Sequence, residues 1–180
     1  MTSWTPVKLT RSCAATTVPY GEPMVLDAGG LVEVVQRLGS SITVRTEMGS
    51  LLRIDGDDCD AVGLEPLDID DTSATGPFEF DQVTEALQGI YDPEIPVSIV
   101  ELGLVYRCEE IVQPDGTRRI EIDMSMTAPG CGMGDILRMD ALRAVAAIPG
   151  VDDVDVQLVW SPPWNVSRMS EAARLELGMF

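Results

Sequence analysis

A single cysteine, Cys131, lies in a glycine-rich stretch, residues 127–134, that reads Thr-Ala-Pro-Gly-Cys-Gly-Met-Gly. The glycines leave its sulfur uncrowded and let the backbone come close to whatever the sulfur binds. The apolar pattern that follows predicts an amphipathic helix, and the unpaired amides and positive dipole end of that helix favour the thiolate. A thiolate can attack electrophiles and ligate metals. Because the chain contains no histidine, the usual base of a cysteine hydrolase is missing, and we expect Cys131 to hold a ligand rather than to cleave one.

Two carboxylates form a second candidate site in the segment Asp92-Pro93-Glu94-Ile95-Pro96. The prolines stiffen this segment and fix the directions of Asp92 and Glu94. These side chains are predicted to ligate metal, to accept hydrogen bonds from a neighbouring loop, or to cap a helical turn at residues 98–101, with a structural role as probable as a functional one. Thr127 is placed to bond the cysteine loop and is equally well explained as a turn former.

The other three cysteines are weaker candidates. Cys13 and Cys59 flank polar turns and are expected to be exposed, whereas Cys108 lies within a predicted strand as a small buried side chain. No CxxC pair occurs, so a closed zinc site built from all four cysteines is disfavoured. Trp164, in the run Ser161-Pro162-Pro163-Trp164, is better explained as a packing anchor than as a site residue.

The composition excludes several classes of function. A net charge of −18 argues against nucleic acid and membrane as partners. The phosphate-binding patterns GxxxxGK[ST] and GxGxxG are absent, which disfavours a nucleotide cofactor. The first residues lack a basic region followed by an apolar core, and no run has the length of a membrane span, so we expect a cytoplasmic protein with reduced thiols.

The chain divides at an acidic, Pro- and Gly-containing segment, residues 65–78, which is predicted to be a linker. The pattern of residues 1–64 predicts a small β module, either a barrel or a rolled sheet. Its five predicted strands are residues 7–10, 24–26, 31–37, 42–46 and 51–54. Residues 79–180 alternate helix and strand in the order α-β-β-α-β and end in a short helix. Their predicted elements are a helix at 80–91 with Asp81 as N-cap, strands at 104–112 and 119–126, a helix at 134–148, a strand at 153–160 and a helix at 170–177. An α+β fold with two layers follows.

At these motifs the chain resembles a known family. Tyr91-Asp92-Pro93-Glu94-Ile95-Pro96-Val97, the block Glu101-Leu102-Gly103-Leu104-Val105-Tyr106, residues 127–134 and Trp160-Ser161-Pro162-Pro163-Trp164 are similar to the successive signatures of PaaD-like iron–sulfur cluster assembly domains. In the first 64 residues, the stretch 9–16 and Pro19-Tyr20-Gly21 resemble the leader and β module of SufT-type maturation factors. Glu101 departs from the aspartate that the family often has, which keeps the charge.

The resemblance implies a non-enzymatic auxiliary factor in iron–sulfur cluster assembly or delivery, with a domain like the C-terminal domain of NifU-type carriers. It implies that Cys131 is a transient iron or cluster ligand. Asp92, Glu94, Thr127, Gly130 and Gly132 are expected to shape the pocket, and Cys13 is a weaker second ligand. The implied partners are Suf-type assembly or carrier proteins, client apo-proteins and, in a homo-oligomer, a second copy of the chain.

Two other hypotheses remain open. The chain is alternatively an adaptor that docks a cluster carrier to its client without binding a cluster itself. A thiol enzyme of redox or acyl-transfer type is the least favoured alternative, because the sequence has neither a histidine base nor a resolving CxxC pair.

Overall fold

The computed structural model describes residues 4–65, 77–130 and 132–179 of the chain. Within them, one six-stranded sheet precedes a set of helices packed with a three-stranded sheet, so the expected α+β class is confirmed. Most of the predicted linker, residues 66–76, lies outside the described residues, and so does Cys131.

The N-terminal module is an antiparallel sheet with strand order β1-β4-β5-β6-β2-β3. No pairing joins β1 to β3 among the described residues, so hydrogen bonds do not close the sheet into a barrel. A 3-10 helix, Gly56–Val62, follows the last strand and packs on the module's own core. The strands are β1 Val7–Lys8, β2 Cys13–Val18, β3 Pro23–Leu26, β4 Leu31–Leu38, β5 Ser41–Thr46 and β6 Leu51–Asp55.

Strand β2 was not among the predicted strands. Its first residues, Cys-Ala-Ala, have weak strand propensity, so the local sequence gives little signal. Its position is set by partners on both sides, because it pairs with β3 and with β6. Burial alternates along its first half, with Cys13 and Ala15 buried and Ala14 exposed, as a strand with one covered face requires.

The C-terminal domain follows the predicted order of helices and strands. Its sheet has the order β7-β8-β9, with β7 antiparallel and β9 parallel to β8. Asp81 is the first residue of α1 rather than its N-cap, because Phe80 occupies the cap position and makes no side-chain cap bond. The elements are α1 Asp81–Gln88, β7 Val105–Val112, β8 Arg118–Met124, α2 Gly134–Ala146, β9 Asp153–Leu158 and α3 Glu171–Glu176.

The domain core forms where α2 covers the sheet. The alternation predicted for β8 is confirmed, since Ile120, Ile122 and Met124 are buried. They meet the apolar stripe of α2, whose members Leu137, Ala141 and Val145 are fully buried. A two-residue period on the strand and a helical period on α2 therefore supply the two faces of one core.

The two modules share a packed boundary. Val18, at the end of β2, belongs to the core of the C-terminal domain, and Leu51, its partner across the β2–β6 ladder, packs against the same core. Beside them, Arg53 of β6 forms a buried ion pair with Asp140 of α2, with an N···O distance of 2.7 Å. Burial raises the pKa of Asp140 despite the opposing attraction of Arg53. A buried ion pair of this kind adds little net stability, but it favours the one arrangement of the two modules in which both charges are paired.

Loss of Arg53 should therefore be costly, because Asp140 would remain buried without its closest partner. We expect Arg53→Met to lower the free energy of unfolding by about 3 kcal/mol and Arg53→Met/Asp140→Leu to recover most of that loss, since no charge then stays buried. Urea unfolding of both variants measures this. Arg11→Met is the matched control, because its ion pair with Asp58 is exposed and its removal should change little. A double variant no more stable than Arg53→Met would contradict the expectation.

Candidate functional site

The carboxylate of Asp92 is used within its own turn. Asp92 is 5% exposed, and its Oδ1 accepts hydrogen bonds from the backbone N–H groups of Glu94, at 2.8 Å, and Ile95, at 3.0 Å. Burial raises the pKa of Asp92, and these two hydrogen bonds oppose that rise. The helical turn at residues 98–101 is capped by Ser98, whose Oγ accepts from the Glu101 N–H at 3.2 Å. Of the three roles predicted for Asp92, the geometry favours the structural one.

Glu94, in the same turn, is exposed. Partial burial and the neighbouring Asp92 charge raise the pKa of Glu94. It is therefore the carboxylate of this segment that a partner or a metal ion can reach.

The cysteine loop joins β8 to α2, as predicted. Its entrance, Thr127, is half-buried, and residues 128–130 are exposed. Gly130 has φ +81°, a conformation that L side chains rarely adopt, and a Cβ there would meet nothing within 4 Å. On the other flank, Met133 is 1% exposed and occupies the N-cap position of α2. The loop therefore leads directly into the N-terminus of a 13-residue helix, an end whose amide groups and dipole favour an anion.

The N-terminal module contacts both candidate segments. The Gln36 side chain donates to the Asp92 carbonyl at 3.3 Å, and the Thr43 hydroxyl donates to the Pro93 carbonyl at 3.5 Å. The turn between β2 and β3 lies against Gly132, since a Cβ on Gly132 would come 1.6 Å from the Tyr20 carbonyl oxygen. The sequence Pro19-Tyr20-Gly21 indicates a turn, and no local pattern in it predicts these contacts. The glycine itself, whose φ is +73° in the structure, was the available signal.

The described cysteines are not placed as exposed ligands. Cys13 and Cys59 lie in the N-terminal core at 4% and 0% exposure, so the expectation that they are exposed is wrong. Burial, followed by the charge of Asp58, raises the pKa of Cys13. Burial and Glu109 raise the pKa of Cys108 to about 11. Within the described parts of the chain, no three Cys, Asp or Glu side chains surround a common point at metal-binding distance.

The segment Glu101-Leu102-Gly103 accepts hydrogen bonds from Trp164 and Ser170. Trp164 donates its indole N–H to the Leu102 carbonyl at 2.7 Å and packs on the domain core, as its predicted role as an anchor requires. Ser170 donates its backbone N–H to the Glu101 carbonyl at 2.9 Å, and its hydroxyl donates to the Glu101 carboxylate. This signature block is therefore structural in the described geometry.

Comparison with known proteins places this fold and loop in a family. A family model described as iron–sulfur cluster assembly protein matches residues 81–158. The chain is 39% identical over 98 residues to an Fe–S protein maturation auxiliary factor of Porphyromonas gingivalis, a match that covers 54% of this chain and 90% of that protein. The chain belongs to the iron–sulfur cluster assembly protein family. It is also 39% identical over 90 residues to the Fe–S protein maturation auxiliary factor SufT of Staphylococcus aureus, with 50% and 98% coverage.

The match to the family model does not reach the N-terminal module, which ends before residue 81. The aligned residues make up 50% of this chain but 98% of the Staphylococcus relative. That protein is therefore about half as long as this chain and is too short to contain counterparts of both modules. A crystal structure of a domain of unknown function from Bacillus anthracis aligns at a TM-score of 0.48 and 34% identity, over 56% of this chain and 92% of that one. No helix in the described ranges is long and apolar enough to cross a bilayer.

The raised pKa of Asp92 predicts a pH dependence. Because burial raises this pKa in the folded state, the stabilisation is complete at low pH and is lost as pH rises through the folded-state pKa. Asn keeps the accepting oxygen but cannot ionise. We therefore expect the free energy of unfolding of Asp92→Asn, relative to wild type, to increase between about pH 3 and pH 7.

Urea unfolding across this pH range measures the difference, and Asp115→Asn is the matched control. The hydrogen bonds from Thr117 lower the pKa of Asp115, so this variant should lose stability relative to wild type as pH rises. Equal slopes for the two variants would show that the Asp92 carboxylate is not penalised by burial.

The buried thiols of Cys13 and Cys59 and the half-buried thiol of Cys108 should be poorly reactive. With a pKa of about 11, Cys108 is thiolate in roughly one molecule in three thousand at pH 7.5. We expect iodoacetamide at this pH to modify Cys13, Cys59 and Cys108 much more slowly in the folded chain than in the chain unfolded by urea, as measured by peptide mass spectrometry. Equal rates in the two states would contradict their placement.

Proposed function

We propose that this chain is an auxiliary factor that assembles iron–sulfur clusters or delivers them to client proteins, with Cys131 as a transient ligand of the iron or cluster. The family match over residues 81–158, a range that contains Cys131, is the observation that supports this most directly. The relatives that share about 39% of their residues with this chain are Fe–S protein maturation auxiliary factors.

The surroundings of the cysteine loop suit a cargo that is released. The loop precedes α2, and its residues 128–130 are exposed. A helix N-terminus next to a loop favours an anion such as a thiolate. Cys13 and Cys59 are buried, and Cys108 holds its proton at neutral pH. The remaining ligands would then come from Glu94, from a second copy of the chain or from a partner protein.

Several further expectations accompany this function. The chain would act without catalysing a reaction, in the cytoplasm, beside Suf-type assembly or carrier proteins and their client apo-proteins. Its net charge of −18 supports protein partners over nucleic acid. The observed order α1-β7-β8-α2-β9 is compatible with the NifU-like topology that the sequence resembles.

Two observations favour the adaptor hypothesis. The described residues offer no group of three metal ligands, and the N-terminal module provides an additional surface outside the range of the family match. In that case the chain would bring a cluster carrier and its client together, and Cys131 would be dispensable.

Anaerobic reconstitution with ferrous iron and sulfide separates the two functions. We expect the wild-type chain to develop sulfur-to-iron charge-transfer absorption and Cys131→Ser to lose most of it, because iron–sulfur clusters are held by cysteine thiolates. Cys108→Ser is the matched control and should retain them. Cys13→Ser tests the weaker ligand and should also retain them, since that thiol is buried with a raised pKa.

Bands of equal strength in Cys131→Ser would overturn the ligand role. If the wild type takes up no iron and Cys131→Ala still captures purified Suf-type carrier at wild-type yield, the adaptor is correct.

A further inference from the structure

The turn between β2 and β3 is held rigidly from both ends. Gly21 donates its N–H to the Thr17 carbonyl at 2.8 Å, and Thr17 donates its N–H to the Glu22 carbonyl at 2.9 Å. The Thr17 hydroxyl accepts from the Glu22 N–H at 3.0 Å. Val18, at the base of the turn, is buried in the core of the C-terminal domain. The turn is therefore fixed to its own module by hydrogen bonds and to the other module by apolar packing.

This turn meets the cysteine loop backbone to backbone. A Cβ on Gly21 would lie 2.1 Å from the Gly132 carbonyl oxygen, and a Cβ on Gly132 would lie 1.6 Å from the Tyr20 carbonyl oxygen. Both atoms belong to the backbone and cannot rotate away. Only glycine fits on either side of this contact, which explains why glycine follows Cys131.

Gly132 and Gly130 therefore have different surroundings. Gly132 contacts the N-terminal module, whereas a Cβ on Gly130 would meet nothing within 4 Å among the described residues, and residues 128–130 are exposed. Arg53 and Asp140 form their buried ion pair across the same boundary and keep the module in register with α2.

We propose that the N-terminal module positions the loop between β8 and α2, with Gly21 and the Tyr20 carbonyl as positioning groups that contact Gly132. This assignment rests on the proposed role of Cys131 and goes beyond it, because it gives the N-terminal module a function at the site.

Gly21→Ala breaks the contact, and Gly49→Ala is its matched control. Both glycines have positive φ, +73° and +84°, so both variants carry the same kind of backbone strain, but a Cβ on Gly49 would meet nothing within 4 Å. Tyr20→Ala is a second control, since the Tyr20 side chain is 72% exposed and the contact uses its carbonyl. Full-length variants are treated with iodoacetamide from pH 6 to 10, and modification of the Cys131 peptide is followed by mass spectrometry.

We expect Gly21→Ala to raise the alkylation rate of Cys131 severalfold across the pH range, because the loop loses the contact that holds Gly132 and fluctuates more. Both controls should match the wild type. Hydrogen–deuterium exchange in peptides covering residues 126–134 should increase in the same variant alone. If Gly21→Ala does not fold, Thr17→Val removes the hydroxyl that accepts from Glu22 without adding a Cβ at the contact, and a smaller increase is expected.

Rates in Gly21→Ala, or in Thr17→Val if the first variant does not fold, that equal those of Gly49→Ala would overturn the positioning role. Alkylation needs no iron, so this result is independent of reconstitution. A failed reconstitution would remove the ligand role and leave the positioning contact standing.

Discussion

Parallel strands cannot be joined by a tight turn, and β8 and β9 are parallel. The chain must cross from the end of β8 back to the start of β9, and α2 is that crossover. The helix covers the sheet with its apolar stripe, which creates the core of the domain. The same crossover places the cysteine loop at the end of β8, immediately before the N-terminus of a helix. The position of the cysteine loop thus follows from the parallel pairing of β8 and β9.

A second constraint acts from outside the domain. The N-terminal module buries Val18 in the domain core and places its β2–β3 turn against the residue that follows Cys131. It also donates hydrogen bonds to the backbone carbonyls of Asp92 and Pro93. Both candidate segments are therefore supported by elements at least fifty residues away in the sequence.

Burial decides which polar groups remain available for function. The Asp92 carboxylate accepts two backbone amide hydrogen bonds, and Asp140 forms an ion pair with Arg53 across the module boundary. Three cysteines are wholly or partly buried, and burial raises the pKa of Cys13 and of Cys108. Among the candidate carboxylates, the exposed Glu94 stays accessible. A chain with 30 acidic residues thus offers few of them at its candidate site.

The features that depend on local periodicity were predictable from the sequence. Alternation along β8 and the helical stripe of α2 were predicted correctly because each pattern identifies a buried face without knowledge of its partner. The glycine-rich loop before α2 and the anchoring role of Trp164 were likewise predicted from the sequence. The tertiary structure alone decided the position of β2, the burial of Cys13 and Cys59, and the contact between Gly21 and Gly132. These features arise from pairing and packing between residues distant in the chain, and no local pattern records which distant backbone will fill the space beside a glycine.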